Sequence, residues 1–427
     1  MPKYLLKCLK CDNSYSENQQ LMTCPNCNGQ LEICLNYDIL HEKISNSSDF
    51  LSLSASAPNS MWKYYDFLPI LEKENIISLG EGLTPLLRSH NLGRDLGLRN
   101  VFLKVETGNP TGSFKDRQVS MGMSKAIEMK TNGVITISSG NVGAATSAYA
   151  AAANIPAIVF VHEMSPINKL TQIMTYGATL LRVQSNSTKN ILDAVKDHCR
   201  EYQFTNLMTA SPVNPYINLG AKTIAYEIIN SFISLYDGKT PDVIICPVGG
   251  GGLLASIYQG MVDLIELEII EDIPKIIGVQ PSGCAPLATA ILRNITNKDI
   301  ESLFEDPWEN INTIASALAD DVPMDARLAV PAIKKSRGTA YIVTDDEIID
   351  AEKYLAMTEG IFAEPSSATT IAALKHLKED AIIDSDDYIV SLITGSGFKD
   401  LNACKRFNPQ PRSVPLNHNW DVEFKEM

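Results

Sequence analysis

One lysine in a tight turn is the first residue in this sequence whose surroundings suggest chemistry. The segment Asn109-Pro-Thr-Gly-Ser-Phe-Lys115-Asp-Arg117 places proline and glycine, which favour a turn, before a lysine near the start of a predicted helix. Helix amides and burial both lower the pKa of a lysine, and the neutral amine is a nucleophile suited to forming a Schiff base. A solvated lysine on a surface turn has the same local pattern, so the interpretation depends on other residues.

Three further loops place small or hydroxyl residues at the ends of predicted strands. Ser138-Ser139-Gly140-Asn141 precedes an alanine-rich helix, so its amides could hold a carboxylate or a phosphate. Gly249-Gly250-Gly251-Gly252 could surround a phosphate with N–H groups. Thr394 could hydrogen-bond a ring nitrogen or a ligand oxygen. Each loop taken singly could be a plain turn, but open parallel sheets bind ligands at this edge. Together with Lys115 they predict a site for a phosphorylated aldehyde cofactor.

Four cysteines near the N-terminus have the spacing of a zinc site. Cys8 and Cys11 form one C-x2-C pair, and Cys24 and Cys27 form another after 12 intervening residues. Two such knuckles can face each other and give a tetrahedral set of four thiolates, which suits Zn2+. Because so short a segment buries little apolar surface, the metal would supply its folding energy. We therefore expect a structural zinc, with reduced cysteines that bind no metal as the alternative.

Short β-branched runs alternate with longer helical stretches through most of the chain, and this alternation predicts an α/β fold with a parallel sheet. The predicted strands are Val134–Ile137, Ala157–Val161, Thr179–Val183, Val243–Val248, Ile276–Gln280 and Tyr388–Thr394. The predicted helices follow Asn141, lie near Asn168–Tyr176, Asp345–Met357 and Ser367–His376, and begin near Thr188 and at Leu253. A Ser/Asn-rich stretch, Ser45–Ser60, is predicted to be a linker or an irregular arm, with a partly ordered surface segment as the alternative.

The composition limits the classes of partner. The chain has 427 residues and a net charge of -14, which disfavours binding to nucleic acid or to anionic lipid. It contains no apolar run of 18 residues and no apolar signal segment at its start, so we expect a cytoplasmic protein with no membrane partner. Reduced thiols are expected in that compartment.

The motifs together resemble the fold type II pyridoxal-phosphate (PLP) enzymes, and among them the threonine synthase family. Besides the lysine segment, Gly80-Glu-Gly-Leu-Thr-Pro-Leu86, Glu364-Pro-Ser-Ser-Ala368 and Thr394-Gly-Ser-Gly-Phe-Lys-Asp400 are similar to family segments. The resemblance implies that Lys115 holds PLP as a Schiff base and that Asn141 contacts its ring hydroxyl. It also implies that Thr394 contacts the pyridine nitrogen and that Ser138, Ser139 and Gly140 hold the substrate carboxylate.

The resemblance implies two open, mostly parallel sheet domains with flanking helices, plus a small N-terminal zinc ribbon, in a homodimer. We expect the ribbon at 1–36 and an arm or linker at 37–80. The large PLP-binding domain is expected at 81–120 and 221–405, and a smaller mobile substrate domain at 121–220. A C-terminal tail is expected at 406–427.

The expected activity is elimination or replacement at the β or γ carbon of an amino acid. Threonine synthase, which converts O-phosphohomoserine and water to threonine and phosphate, is the leading prediction. Ile217 stands where the family has an arginine that binds the substrate phosphate, which favours a threonine/serine dehydratase or a β-replacement synthase as the alternative. Arg117 or Lys222 could replace that arginine. An inactive zinc-ribbon binding protein is a third alternative.

Overall fold

The computed structural model describes residues 1–53, 59–185, 187–236, 238–296, 299–404, 411 and 413–416. Residues 54–58 of the predicted linker and most of the predicted tail, 406–427, lie outside the described residues. No described helix has the length and apolarity needed to cross a membrane.

The described residues form strands and helices that alternate through most of the chain. The strands are β1 (Tyr4–Cys8), β2 (Ser14–Ser16), β3 (Leu31–Leu35), β4 (Leu86–Arg88), β5 (Asn100–Val105), β6 (Gly133–Ile137), β7 (Ala157–His162), β8 (Thr179–Val183), β9 (Phe204–Asn206), β10 (Val243–Pro247), β11 (Lys275–Pro281), β12 (Ala340–Val343) and β13 (Tyr388–Ile393). The α-helices are α1 (Tyr37–His41), α2 (Ser47–Ser52), α3 (His90–Leu96), α4 (Lys115–Glu128), α5 (Asn141–Ala153), α6 (Ile167–Thr175), α7 (Thr188–Glu201), α8 (Lys222–Leu235), α9 (Gly252–Glu266), α10 (Pro286–Leu292), α11 (Ser302–Glu305), α12 (Ala326–Lys335), α13 (Asp345–Tyr354), α14 (Pro365–Glu379) and α15 (Leu401–Cys404).

The larger of the two main sheets has six strands in the order β12-β11-β10-β13-β5-β4. All its neighbours pair in parallel except β4, which pairs antiparallel with β5. Its central strands are apolar on both faces: Ile244 and Val390 belong to one core cluster, whereas Ile245 and Ile389 belong to another. The sequences of such strands are continuously apolar because side chains on both faces of the sheet are buried.

The second main sheet has four parallel strands in the order β8-β7-β6-β9, and residues 133–206 form it. Strands of the larger sheet come from both before and after this segment. The predicted α/β class with two mostly parallel sheets is therefore confirmed. The exact domain boundaries given above stay a prediction.

The N-terminal strands β1, β2 and β3 form a separate antiparallel sheet. Tyr4 and Leu6 on β1 are fully buried and belong to one apolar cluster with Met121 of α4 and with Tyr216. The Lys125 ammonium at the far end of α4 donates a 2.8 Å hydrogen bond to the Tyr4 hydroxyl. This small sheet is thus packed against the helix that begins at Lys115.

The prediction of an irregular linker over Ser45–Ser60 is wrong for its first half. Residues Ser47–Ser52 form helix α2, and the Asn46 side chain accepts a hydrogen bond from the Asp49 backbone N–H at its start. Phe50 on this helix is fully buried in the main core. Polar composition suggested a linker, but one capping residue and one buried aromatic side chain are enough to form and hold a short helix here.

Candidate active site

Lys115 lies at the first position of α4, directly after the turn predicted for it. Its partly exposed side chain donates a 3.0 Å hydrogen bond from Nζ to the Thr209 hydroxyl. The preceding residue, Phe114, donates its backbone N–H to the Thr394 carbonyl at 2.9 Å, and Ser113 forms a β-bridge with Gly395. These contacts join the lysine turn to the loop that follows β13.

The pKa of Lys115 is lowered from its usual value to about 8. Burial of the charged amine is the largest cause, and the negative charges of Asp320, Asp325 and Glu364 oppose it. About a tenth of the amine is therefore neutral at pH 7, far more than for an ordinary lysine. A neutral amine at this position can attack a carbonyl carbon or accept a proton.

Asn141 begins helix α5 and is buried. Its side-chain nitrogen donates to both carboxylate oxygens of Glu364, each at 3.1 Å. The Glu364 backbone N–H in turn donates to the Gly395 carbonyl at 3.0 Å. Glu364 therefore links the loop after β6 to the loop after β13.

The loop residues before Asn141 face open space. Ser138, Ser139 and Gly140 are partly or fully exposed, and the Gly140 backbone N–H donates to the Ser138 hydroxyl at 3.2 Å. This loop follows the carboxyl end of β6 and precedes the N-terminus of α5. Amides and hydroxyls in this arrangement can bind a carboxylate.

The four-glycine loop connects β10 to α9. Gly251 has a φ of +98°, which favours glycine at this turn. A Cβ atom built on Gly249 would approach the Asp320 Oδ2 atom to 2.6 Å, so only glycine lets that carboxylate come so close. The Gly250 N–H faces the same carboxylate. The loop thus lies against a carboxylate of the chain itself, and its backbone amides could also face the phosphate of a cofactor.

Thr394 directly follows β13 and is buried. Its hydroxyl lies 3.1 Å from the Ser367 hydroxyl, which also receives a 2.8 Å hydrogen bond from the Gly395 backbone N–H. The Ser367 hydroxyl can therefore orient the Thr394 hydroxyl, and a hydroxyl held in this way can bond to a ring nitrogen.

The three residues considered for the substrate phosphate do not face this site. Arg117 is fully buried and paired with Glu106 and Glu227, and the buried Lys222 is paired with Asp263. Ile217 is also fully buried, in an apolar cluster. The hypothesis that Arg117 or Lys222 binds the substrate phosphate is therefore not supported, because each is already neutralised inside the protein.

Sequence reasoning missed four residues that surround Lys115. Thr209 is bonded to its amine, and the carboxylates of Asp320, Asp325 and Glu364 act on its charge. Glu364 lies in a segment that was recognised but was given no role. The signal for Asp320 and Asp325 was weak, because acidic residues in an irregular stretch usually lie in solvent.

The four predicted zinc ligands lie together. The sulfur atoms of Cys8, Cys11, Cys24 and Cys27 are all within 4.8 Å of one another. The Cys8–Cys27 and Cys11–Cys24 sulfur pairs are 3.5 Å and 3.6 Å apart. Tetrahedral zinc with four thiolates needs sulfur atoms about 3.8 Å apart. The cluster therefore has the size and donor set of a zinc site.

Comparison with protein families assigns the chain to a class. The model of the family described as pyridoxal-phosphate dependent enzyme matches residues 77–395, which include Lys115 and the three loops around it. The chain belongs to this family. A solved structure of maize serine racemase is similar in fold, with a TM-score of 0.59 and 22% sequence identity. The match covers 80% of this chain and 92% of that chain.

Within the family, the chain is similar to threonine synthases. The threonine synthase of Methanocaldococcus jannaschii is 37% identical over 416 residues, which are 97% of this chain and 98% of that protein. The threonine synthase of Methanosarcina acetivorans is 36% identical over 97% of this chain and 96% of its own length. The chain is thus a member of the threonine synthase-like group of PLP-dependent enzymes.

Proposed function

We propose that this protein is a threonine synthase, which converts O-phosphohomoserine and water to threonine and phosphate. The observation that carries the proposal is the similarity to threonine synthases along almost their entire length. The position of Lys115, with a pKa of about 8, supports the chemistry because the reaction needs a basic amine next to the substrate.

We assign the following roles to the site residues. Lys115 holds the aldehyde carbon of the cofactor, Asn141 its ring hydroxyl and Thr394 its pyridine nitrogen. Gly249, Gly250, Gly251 and Gly252 hold its phosphate, and Ser138, Ser139 and Gly140 hold the substrate carboxylate. When bound, the cofactor stores the negative charge that develops on the substrate. The Lys115 amine would move protons at the substrate carbon atoms.

A dehydratase or β-replacement synthase is the second candidate, and one observation favours it. Ile217, which stands where the threonine synthase family has an arginine for the substrate phosphate, is buried in an apolar cluster and cannot bind a phosphate. A neutral hydroxyl leaving group needs no such cationic partner.

Product analysis separates the two candidates. Purified holoenzyme is incubated separately with O-phosphohomoserine, threonine and serine. Threonine and phosphate released in equal amounts from O-phosphohomoserine support threonine synthase. If threonine or serine yields ammonia and a 2-oxo acid and O-phosphohomoserine is not turned over, the protein is a dehydratase and the threonine synthase proposal is wrong. A β-replacement synthase would need an added nucleophile to form product.

Restoring arginine at position 217 tests whether that position contacts the substrate. Because Ile217 is packed against the Cα of Gly122, with a built Cβ only 2.8 Å from Ile217 Cγ1, Ile217→Arg would bury an unpaired charge. We expect it to lower the free energy of unfolding by more than about 3 kcal/mol without lowering the KM for O-phosphohomoserine.

Ile217→Leu is the matched control, since a volume-conserving change should cost less than about 1.5 kcal/mol. Urea unfolding and steady-state kinetics check both variants. A stable Ile217→Arg protein with a lower KM would contradict the assignment of this side chain to the core.

We also propose that Cys8, Cys11, Cys24 and Cys27 bind one structural Zn2+. Four thiolates leave no open coordination position, so the ion would hold the N-terminal sheet together rather than take part in catalysis. The buried positions of Cys8 and Cys24 support this role.

Metal analysis tests the zinc proposal. We expect about one zinc per chain in the wild type and almost none after Cys24→Ser, because structural zinc sites need all their ligands. The N-terminal segment of the variant should also become sensitive to protease. Cys34→Ser is the control, since Cys34 is exposed and outside the cluster. Equal zinc content in the two variants would refute the assignment.

The proposal extends to a homodimer in the cytoplasm. The resemblance to the family supports the dimer, and light scattering of the holoenzyme checks it through the molar mass. The cytoplasmic location is supported by the free thiols of the described cysteines, since such thiols persist in a reducing compartment.

A further inference from the structure

A carboxylate of the chain itself lies against the glycine loop assigned to the cofactor phosphate. A Cβ atom built on Gly249 would lie 2.6 Å from Asp320 Oδ2, and one built on Gly250 would lie 3.4 Å from it. Burial raises the pKa of Asp320, and the charge of Lys115 and the Gly250 N–H partly oppose this by favouring the charged carboxylate. Loop amides before a helix attract anions, and here Asp320 is the anion that they meet.

Asp320 is held less firmly than Asp325, the second carboxylate beside the loop. Asp325 is buried and accepts hydrogen bonds from the Ser211 backbone N–H at 3.0 Å and the Asn218 side chain at 3.1 Å. Asp320 is exposed at its residue surface, and its carboxylate faces the Gly250 N–H and is attracted by the charge of Lys115. Among the described residues no side chain donates a hydrogen bond to it, so Asp320 can leave the loop at a smaller cost than Asp325.

Two anions cannot share the loop without repulsion. A phosphate ester carries close to two negative charges at neutral pH, and at short range in a partly enclosed site its repulsion from a carboxylate is strong. We infer that Asp320 competes with the phosphate of the cofactor for the glycine loop and moves aside when the cofactor binds. This inference rests on the proposed assignment of the loop to that phosphate.

In the cofactor-free protein, Asp320 gives the backbone donors of the glycine loop a partner. The glycine loop presents backbone donors at the N-terminus of α9, and unpaired donors are costly where water is restricted. Asp320 satisfies the Gly250 donor until the cofactor arrives. The same contact lowers the affinity of the loop for any other phosphate compound.

Cofactor titrations of the cofactor-free protein test the inference. Wild type, Asp320→Asn, Asp320→Ala and Asp321→Asn are each titrated with PLP and with pyridoxamine 5'-phosphate, which carries the same phosphate but no aldehyde. Absorbance and fluorescence give the dissociation constants, and circular dichroism checks that each variant is folded. Asp321 is the matched control because it is the adjacent residue and is also exposed.

We expect both Asp320 variants to bind both compounds about tenfold more tightly than wild type, with Asp321→Asn unchanged. Equal or weaker binding of pyridoxamine 5'-phosphate by Asp320→Asn would overturn the inference. Tighter binding of PLP alone would also overturn it, because the change would then act through the Lys115 amine. If wild type and all variants bind neither compound, the cofactor assignment itself has failed, and the wild-type titration alone reveals this.

Discussion

Replacing Lys115 by alanine is expected to abolish the covalent attachment of the cofactor and to lower turnover by roughly 10²–10⁴-fold or more. The substitution removes the amine that donates to Thr209 and, with it, the base that we propose acts on the substrate. Borohydride reduction of wild-type holoenzyme followed by peptide mapping should place the cofactor on Lys115. Absorbance and product formation check the variant.

The pH dependence gives a second measurement on the same residue. The nucleophile is the neutral amine, whose pKa of about 8 lies below that of an ordinary lysine. The rate of covalent attachment should therefore rise with pH and level off above about pH 8. Lys196→Ala, on an exposed part of α7, is the control and should behave as wild type. Reduction of the cofactor onto another lysine would refute the assignment.

Replacing Arg117 by methionine is expected to lower the free energy of unfolding by about 3–5 kcal/mol. Arg117 donates to Glu106 at 2.7 Å and 2.8 Å and to Glu227 at 2.6 Å and 2.8 Å, and Lys104 donates to Glu227 at 2.6 Å. The buried cluster holds two carboxylates and two cations, so the substitution leaves one carboxylate without compensation. Since Arg117 lies two residues after Lys115, cofactor affinity should fall as well.

A surface ion pair provides the matched control for Arg117. Arg99 pairs with Asp386 at 2.5 Å, but both side chains are more than 70% exposed. Arg99→Met should therefore change the free energy of unfolding by less than about 1 kcal/mol. Denaturant unfolding measures both variants. Equal effects of the two substitutions would mean that the buried cluster contributes no more than a surface pair.

Several elements could be predicted because their own residues determine them. Thr179–Val183 was predicted with its observed limits, and Val243–Val248 ends one residue beyond β10. Val243–Val248 is a β-branched run followed by four glycines, and Thr179–Val183 is followed by a polar segment. The lysine turn and the glycine loop were found for the same reason, since their geometry depends on short-range residues.

Other features depend on residues that are distant in sequence. Strand β5 was not predicted, because Lys104 interrupts its apolar pattern; the structure neutralises that lysine with Glu227, 123 residues later. Asp320 and Asp325 lie more than 200 residues from Lys115, so local patterns could not place them beside its amine. From the sequence, Arg117 was a candidate to bind the substrate phosphate. Its buried partners Glu106 and Glu227 cannot be recognised from their positions in the sequence.

The contact between Tyr4 and Lys125 also constrains the order in which the chain can fold. The two residues are 121 positions apart, so the first strand is synthesised long before its partner helix exists. A metal could close the cysteine knuckles early, but Tyr4 and Leu6 would stay in contact with water until α4 has emerged from the ribosome. A fragment ending near residue 36 should therefore self-associate through this apolar surface, even when zinc is supplied.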